Sequence, residues 1–284
     1  MSHMQTSTMS HPRPSAGDRV VQAAISRIHE RGISVGLDGI SLEEAIAASG
    51  VSRATAYRHW PSRADFLRAV LVQIVRETRL EPEGSEEIDA IRAFVKGHLG
   101  QAVTEAGRRT IVVESLRIAA DADFRRLASS REWADYLALR ATCVSLPEGE
   151  LRETVTSEIT AAEHGFVMHR ATVYSRLPGL MGYRLSPPLS GQQGFEVMAD
   201  AMGALMTGLV VHASVAPRGA PFRASAFGSS LEAEWTSTSY ALVATVLSFL
   251  EPDPEVQWTV ERITEVLAAF EELAQVALSA GRPR

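Results

Sequence analysis

Residues 41–68 read SLEEAIAASGVSRATAYRHWPSRADFLR, and this stretch decides the fold. Ser41 offers a side-chain oxygen to the free amides of a helix start, and Leu42, Ala45, Ile46 and Ser49 fall on one helical face. Ser49-Gly50-Val51 breaks that pattern, because glycine accepts the positive φ that a helix C-terminus often needs. Ser52 caps a second helix, Arg53 to Trp60, which Pro61-Ser62 stops before a third begins. Two short helices joined by a tight turn form a helix-turn-helix, whose second helix enters the DNA major groove.

Working outward, helical periodicity starts near Asp18, with Val20, Val21, Ala24, Ile25 and Ile28 on one face, and ends at Arg31-Gly32. Ile33 to Ile40 is a connector, and the helix after Ser62 runs to about Leu80 with Phe66, Leu67, Val70, Leu71 and Ile74 as its apolar stripe. Residues 1–16, rich in Ser, Thr, Pro and His, are expected to be a disordered tail. Glu81-Pro-Glu-Gly-Ser marks a boundary between a DNA-binding domain, 17–80, and a larger domain, 81–284. Beyond it the pattern predicts helices at about 85–106, 109–120, 122–144, 148–176, 195–215, 236–250 and 255–280, with long loops at Leu177–Gly194 and Val215–Ser230. No run of alternating strands and no repeat emerges, so the expected class is all-α.

The net charge of −6 over 284 residues is unevenly spread. Residues 1–80 hold 10 Arg/Lys against 7 Asp/Glu, net +3, whereas residues 81–284 hold 18 against 27, net −9. Within 51–68, Arg53, Arg58, Arg63 and Arg68 face one acid, Asp65, a local basic surface suited to phosphate. Arginine is the chain's general cation, since Lys96 is the one lysine, so position rather than abundance carries the argument. Cys143 is the single cysteine, which excludes an intramolecular disulfide and suits a reducing cytoplasm. The apolar segment Phe195 to Ser214 carries Glu196 and Asp200, which argues against a membrane span.

Gly50-Val51-Ser52, Thr55, Tyr57 to Arg63 and Phe66-Leu67 resemble the turn, recognition helix and following helix start of the TetR family of bacterial transcriptional regulators. The match covers about residues 18–70 and departs from the usual pattern at Ser41, Ala45-Ile46, Ala56, Trp60 and Arg63, changes conservative in shape or charge. Gly182-Tyr183-Arg184-Leu185 and the helix ending in Gly208-Leu209 resemble larger members. The resemblance implies an all-helical homodimer with an N-terminal DNA-binding domain. It also implies a C-terminal ligand-binding and dimerisation bundle, and repression relieved by a small-molecule effector.

On chemical grounds, small Ala54 and Ala56 allow close approach to base edges, and Arg53 and Arg58 are candidates for bidentate bonds to guanine. Thr55 suits a phosphate or a thymine methyl. Tyr57, His59 and Arg63 are phosphate anchors by chemistry and by the resemblance, and Ser41 and Ser52 each offer one more phosphate bond. Trp60 belongs to the core, and Arg68 to a solvated helix face.

In the larger domain, Phe94, His98, Trp133, Tyr136, Phe166, His169 and Tyr174 are pocket candidates for an apolar effector, with plain core or surface packing as the other reading. Met198, Met202 and Met206 suit a pliable pocket or ordinary core. The two most C-terminal helices are expected to form the dimer interface. No zinc His-Glu-x-x-His, phosphate loop or nucleophile elbow is present, so no enzyme, metal or cofactor is expected. The alternative is a cytoplasmic helical small-molecule-binding protein or enzyme that reads no DNA.

Overall fold

The computed structural model describes residues 14–31, 39–78, 85–216, 219–259 and most of 261–272. The proposed tail 1–13, most of the 33–40 connector, the 81–84 break and the end of the last expected helix lie outside the described residues. The fold is all-α with two small strand pairs, and it divides into two compact units: Met1–Arg79 with Ala134–Ala162, and Leu80–Trp133 with Glu163–Arg284.

The first unit holds α1 (Ala16–Arg31), α2 (Leu42–Ser49), α3 (Arg53–His59) and α4 (Arg63–Glu77), with most of α7 (Arg131–Ser145) and the first turns of α8 (Glu150–Leu180). Helix α1 starts at Ala16, because Ser15 and Asp18 exchange capping bonds of 2.9 and 3.1 Å. Ser41, Ser52 and Ser62 each accept an amide bond at the start of α2, α3 and α4. The core is the predicted set: Val20, Ala24, Ile25, Leu42, Ala45 and Ile46 meet Trp60, Phe66, Val70 and Leu71, all buried. Trp60 stands edge-on to Phe66 at 5.5 Å between centroids. Pairs Arg76–Glu158 at 2.7 Å and Arg68–Glu150 at 3.1 Å join α4 to the start of α8.

The second unit holds α5 (Ser85–His98), a 3-10 turn (Leu99–Val103), α6 (Glu105–Ser129), the end of α8, α9 (Gly191–Val215) and α10 (Ser237–Ser248). Strands β1 (Tyr183–Leu185) and β4 (Leu250–Pro252) pair antiparallel, as do β2 (Phe222–Ala224) and β3 (Ala233–Trp235). The entry to α6 is tight: a Cβ on Gly107 would lie 1.9 Å from the Gln101 carbonyl oxygen. One cluster packs Val113 of α6 against Ala226, Trp235 and Val243. Helix α9 has the length and apolar composition to cross a membrane, yet Met198, Met202, Met206 and Val210 on one side of it are buried within this unit.

Three expectations are corrected. Helix α6 runs unbroken through residue 121 to Ser129, because its mid-helix acids find tertiary partners: Thr236 donates to Asp121 at 3.0 Å and Arg170 to Asp123 at 2.8 Å. The break falls at Ser130, whose hydroxyl accepts the Trp133 amide. Helix α8 continues through Pro178 to Leu180, and the two expected loops each contain a strand.

Candidate nucleic-acid interface and ligand cavity

The turn between α2 and α3 is made by Gly50 at φ +67°, where a side chain would be strained. Ser52 opens α3, its hydroxyl accepting from the Thr55 amide at 3.2 Å and lying 2.9 Å from the Thr55 hydroxyl. One side of α3 is core, with Ala56 fully buried, and Thr55 is half-buried. Arg53, Ala54, Tyr57, Arg58 and His59 are exposed. Ala56 therefore cannot line a base edge as expected; it packs inward, and Ala54 is the small outward residue. Arg63, at the start of α4, is also exposed.

Ser41 caps α2 by accepting the Glu44 amide at 3.3 Å and donates to Glu43 at 3.2 Å. Tyr57, 45% exposed, donates its phenol to the same Glu43 carboxylate at 3.0 Å. Bonds from Glu43's own backbone amide, from Tyr57 and from Ser41 hold that carboxyl below the usual range. The carboxylate in turn pushes the Tyr57 phenol up. The outward face thus carries three guanidiniums, from Arg53, Arg58 and Arg63, and one tyrosine held by an acid. Arg68 is set apart, paired with Asp65 at 3.8 Å and Glu150 at 3.1 Å.

The second unit holds a partly open cavity of about 490 Å³, within the range of small-molecule sites. Trp133, Phe166, His169 and Tyr174 are on its wall; Phe94, His98 and Tyr136 are not. Helix α5 turns Ile88, Ile91 and Arg92 to the cavity, while Phe94 and His98 stack on one another at 4.2 Å. Tyr136 is buried in the part of α7 that belongs to the first unit.

Sequence reasoning passed over Ser115, Asp123 and Arg170, all on the cavity wall. Asp123 is buried and bonded by Arg126 at 2.6 Å and Arg170 at 2.8 Å. Burial alone would raise its carboxyl pKa, and the two guanidiniums outweigh burial to bring it below the ordinary value. A signal existed: Asp123-x-x-Arg126 has the spacing of a same-face helix pair. Among the described residues, no group of three or more His, Cys, Asp or Glu side chains is placed to hold a metal ion.

No family model matches the chain. It is similar to uncharacterized HTH-type transcriptional regulators of Mycobacterium tuberculosis, 32% identical over 85 residues, which is 28% of this chain and 43% of the relative. A regulator of the same description from Mycobacterium bovis is 31% identical over 85 residues, with the same coverage. The chain thus spans less than half the length of the curated relatives it matches. This similarity supports a transcriptional regulator.

Proposed function

We propose that the protein is a DNA-binding transcriptional regulator of the TetR type. In this reading it is a cytoplasmic homodimeric repressor that binds a palindromic operator and is released by a small, largely apolar effector. The observation that carries the proposal is the capped α2–turn–α3 unit, with Arg53, Tyr57, Arg58 and His59 on its outward face. The family-like residues Tyr57 to Arg63 and the similarity to HTH-type regulators support it.

In this reading residues 17–80 bind DNA, with Arg53 and Arg58 reading bases and Ser41, Ser52, Thr55, Tyr57, His59 and Arg63 fixing register on phosphates. Residues 81–284 bind effector and dimerise. Instead of the two most C-terminal helices expected from the sequence, this reading puts the dimer surface on α9 and α10, where Val197, Val211, Val215 and Tyr240 are exposed large apolar side chains. Ala204 and Gly208, also exposed, let a second helix approach closely. Two recognition helices about 34–36 Å apart would enter successive major grooves. Effector binding releases DNA only insofar as it favours a different conformation.

The test is a mobility-shift titration of purified protein on the DNA upstream of its own gene, with unrelated DNA as competitor. A competitor-resistant complex that weakens steeply with salt is expected. Absence of any specific complex at low salt would leave the helical small-molecule-binding protein as the better reading.

A further inference from the structure

We propose that the cavity of the second unit takes an uncharged, hydrocarbon-like molecule, held by apolar contact with no ion pair to the enclosed wall. This deepens the reading of residues 81–284 as the effector-binding part and rests on it.

The polar groups of the wall are engaged with the protein itself. Asp123 and Arg170 meet at 2.8 Å and neutralise one another. Arg126, the second cation on Asp123, stands off the wall with a quarter of its side chain in solvent. The Arg170 guanidinium also has the Tyr174 hydroxyl at 3.5 Å, and the Phe166 ring lies 5.3 Å from its central carbon. The Tyr183 hydroxyl accepts from Arg109 at 3.2 Å, and the Thr172 hydroxyl donates to the Met168 carbonyl at 2.9 Å. Arg92 donates to Asp89 at 2.5 Å. The Ser115 hydroxyl oxygen is enclosed by protein, out of reach of the cavity, although the residue contributes to the wall.

Such a wall selects by cost. A carboxylate or ammonium drawn into it would lose its hydration and find the enclosed charges already paired. An uncharged hydrocarbon loses nothing comparable and gains from every apolar group it covers. His169, Thr172 and Arg176, three and four residues apart on α8, are the exposed part of the wall. An ion pair in solvent adds little to affinity, so Arg176 does not make the cavity an anion site.

The remaining lining suits contact without hydrogen bonds. Met198, Met202 and Met206 place three thioethers along α9, and Trp133 and Phe166 add aromatic rings. Thioethers fill irregular outlines and pack favourably against ring edges. Ala119 and Ala120 leave width beside the middle of α6.

Two fluorescent probes share one ring skeleton and differ by a single charge: uncharged N-phenyl-1-naphthylamine and anionic 8-anilinonaphthalene-1-sulfonate. Titrated into full-length protein without DNA, the uncharged probe should bind at least about 10-fold more tightly. Methyl dodecanoate should displace it at lower concentration than dodecanoate or dodecylammonium, each kept below its aggregation limit. In shorter methyl esters each added methylene should raise affinity about 3–4-fold. Ala119→Phe, which fills the middle of the cavity, should remove binding with the helical circular dichroism retained. Asp123→Asn frees a buried guanidinium, so dodecanoate should gain at least about 10-fold relative to its methyl ester. If that variant does not fold, the wild-type comparison decides. Equal or tighter binding of an acid or an amine, an anion preference that Arg176→Ala removes, a folded Asp123→Asn protein in which the acid gains nothing, or no binding by any probe would overturn the proposal. An uncharged ligand that binds but leaves the operator shift unchanged supports the ligand class and counts against effector release alone.

Discussion

Arg58 is where sequence preference should reside. It is exposed on α3, on the helix side away from buried Ala56 and Trp60. Replacing it with alanine is expected to cost roughly 1–3 kcal/mol on the preferred operator and much less on random DNA, so the ratio of the two dissociation constants should fall. Arg63→Ala should instead weaken binding to all sequences alike and reduce the salt slope by about one. Glu43 acts in the opposite sense. Its carboxylate receives the Tyr57 phenol and stands beside the face proposed to meet phosphate. Glu43→Gln removes a negative charge there and leaves Tyr57 a neutral acceptor, so affinity should rise across sequences; mobility shifts at two salt concentrations check it.

Among the elements, α6 carries two sharp stability tests. Gly107→Ala has no room beside the Gln101 carbonyl and should lower the urea midpoint, the α6 entry having to shift. Asp123→Ala leaves Arg170 buried without its carboxylate, a change that costs about 3–5 kcal/mol when a buried pair is broken. The pH dependence follows from the same contact. The folded protein holds the Asp123 carboxyl below its ordinary pKa, so its contribution is complete above that ordinary value. It is lost as pH falls through the lowered folded value. Denaturation midpoints of the wild type should therefore converge on those of Asp123→Ala at the acidic end and separate toward neutrality.

The contrast in legibility follows from how local each element's causes are. Helices α1 to α4 were readable because caps, Gly50 and apolar periodicity all lie within the segments themselves. The continuity of α6 was not, since Asp121 and Asp123 are satisfied by Thr236 and Arg170, far away in sequence. Strands of three residues are too short to show alternation, so the β1–β4 and β2–β3 pairs left no pattern to find. Aromatic residues pointed to four cavity-wall positions, yet aromatic identity alone could not separate Tyr136, buried in the first unit, from Trp133 on the cavity wall.

For the whole molecule, association state is the decisive observable. The proposed interface on α9 and α10 predicts twice the chain mass in light scattering. Val211→Glu, placing a carboxylate on an exposed valine of α9, should shift the protein toward the monomer and weaken operator binding in parallel. A dimer unaffected by that change would move the interface elsewhere.

Helix α6 also has a second occupied side. Arg109 donates to the Phe227 carbonyl at 2.6 Å, the Ser230 amide donates to Thr110 at 2.9 Å, and Ser229 donates to the buried Glu114 carboxylate at 2.8 Å. These anchors alternate along the helix with the cavity residues Ile111, Val112, Ser115 and Ala119. The two sets are therefore open to separate change, and the protein can diversify what it senses without loosening what it holds. In a library randomised along α6 and selected for new ligand preference, survivors should gather at 112, 115, 116 and 119 and be scarce at 109, 110 and 114.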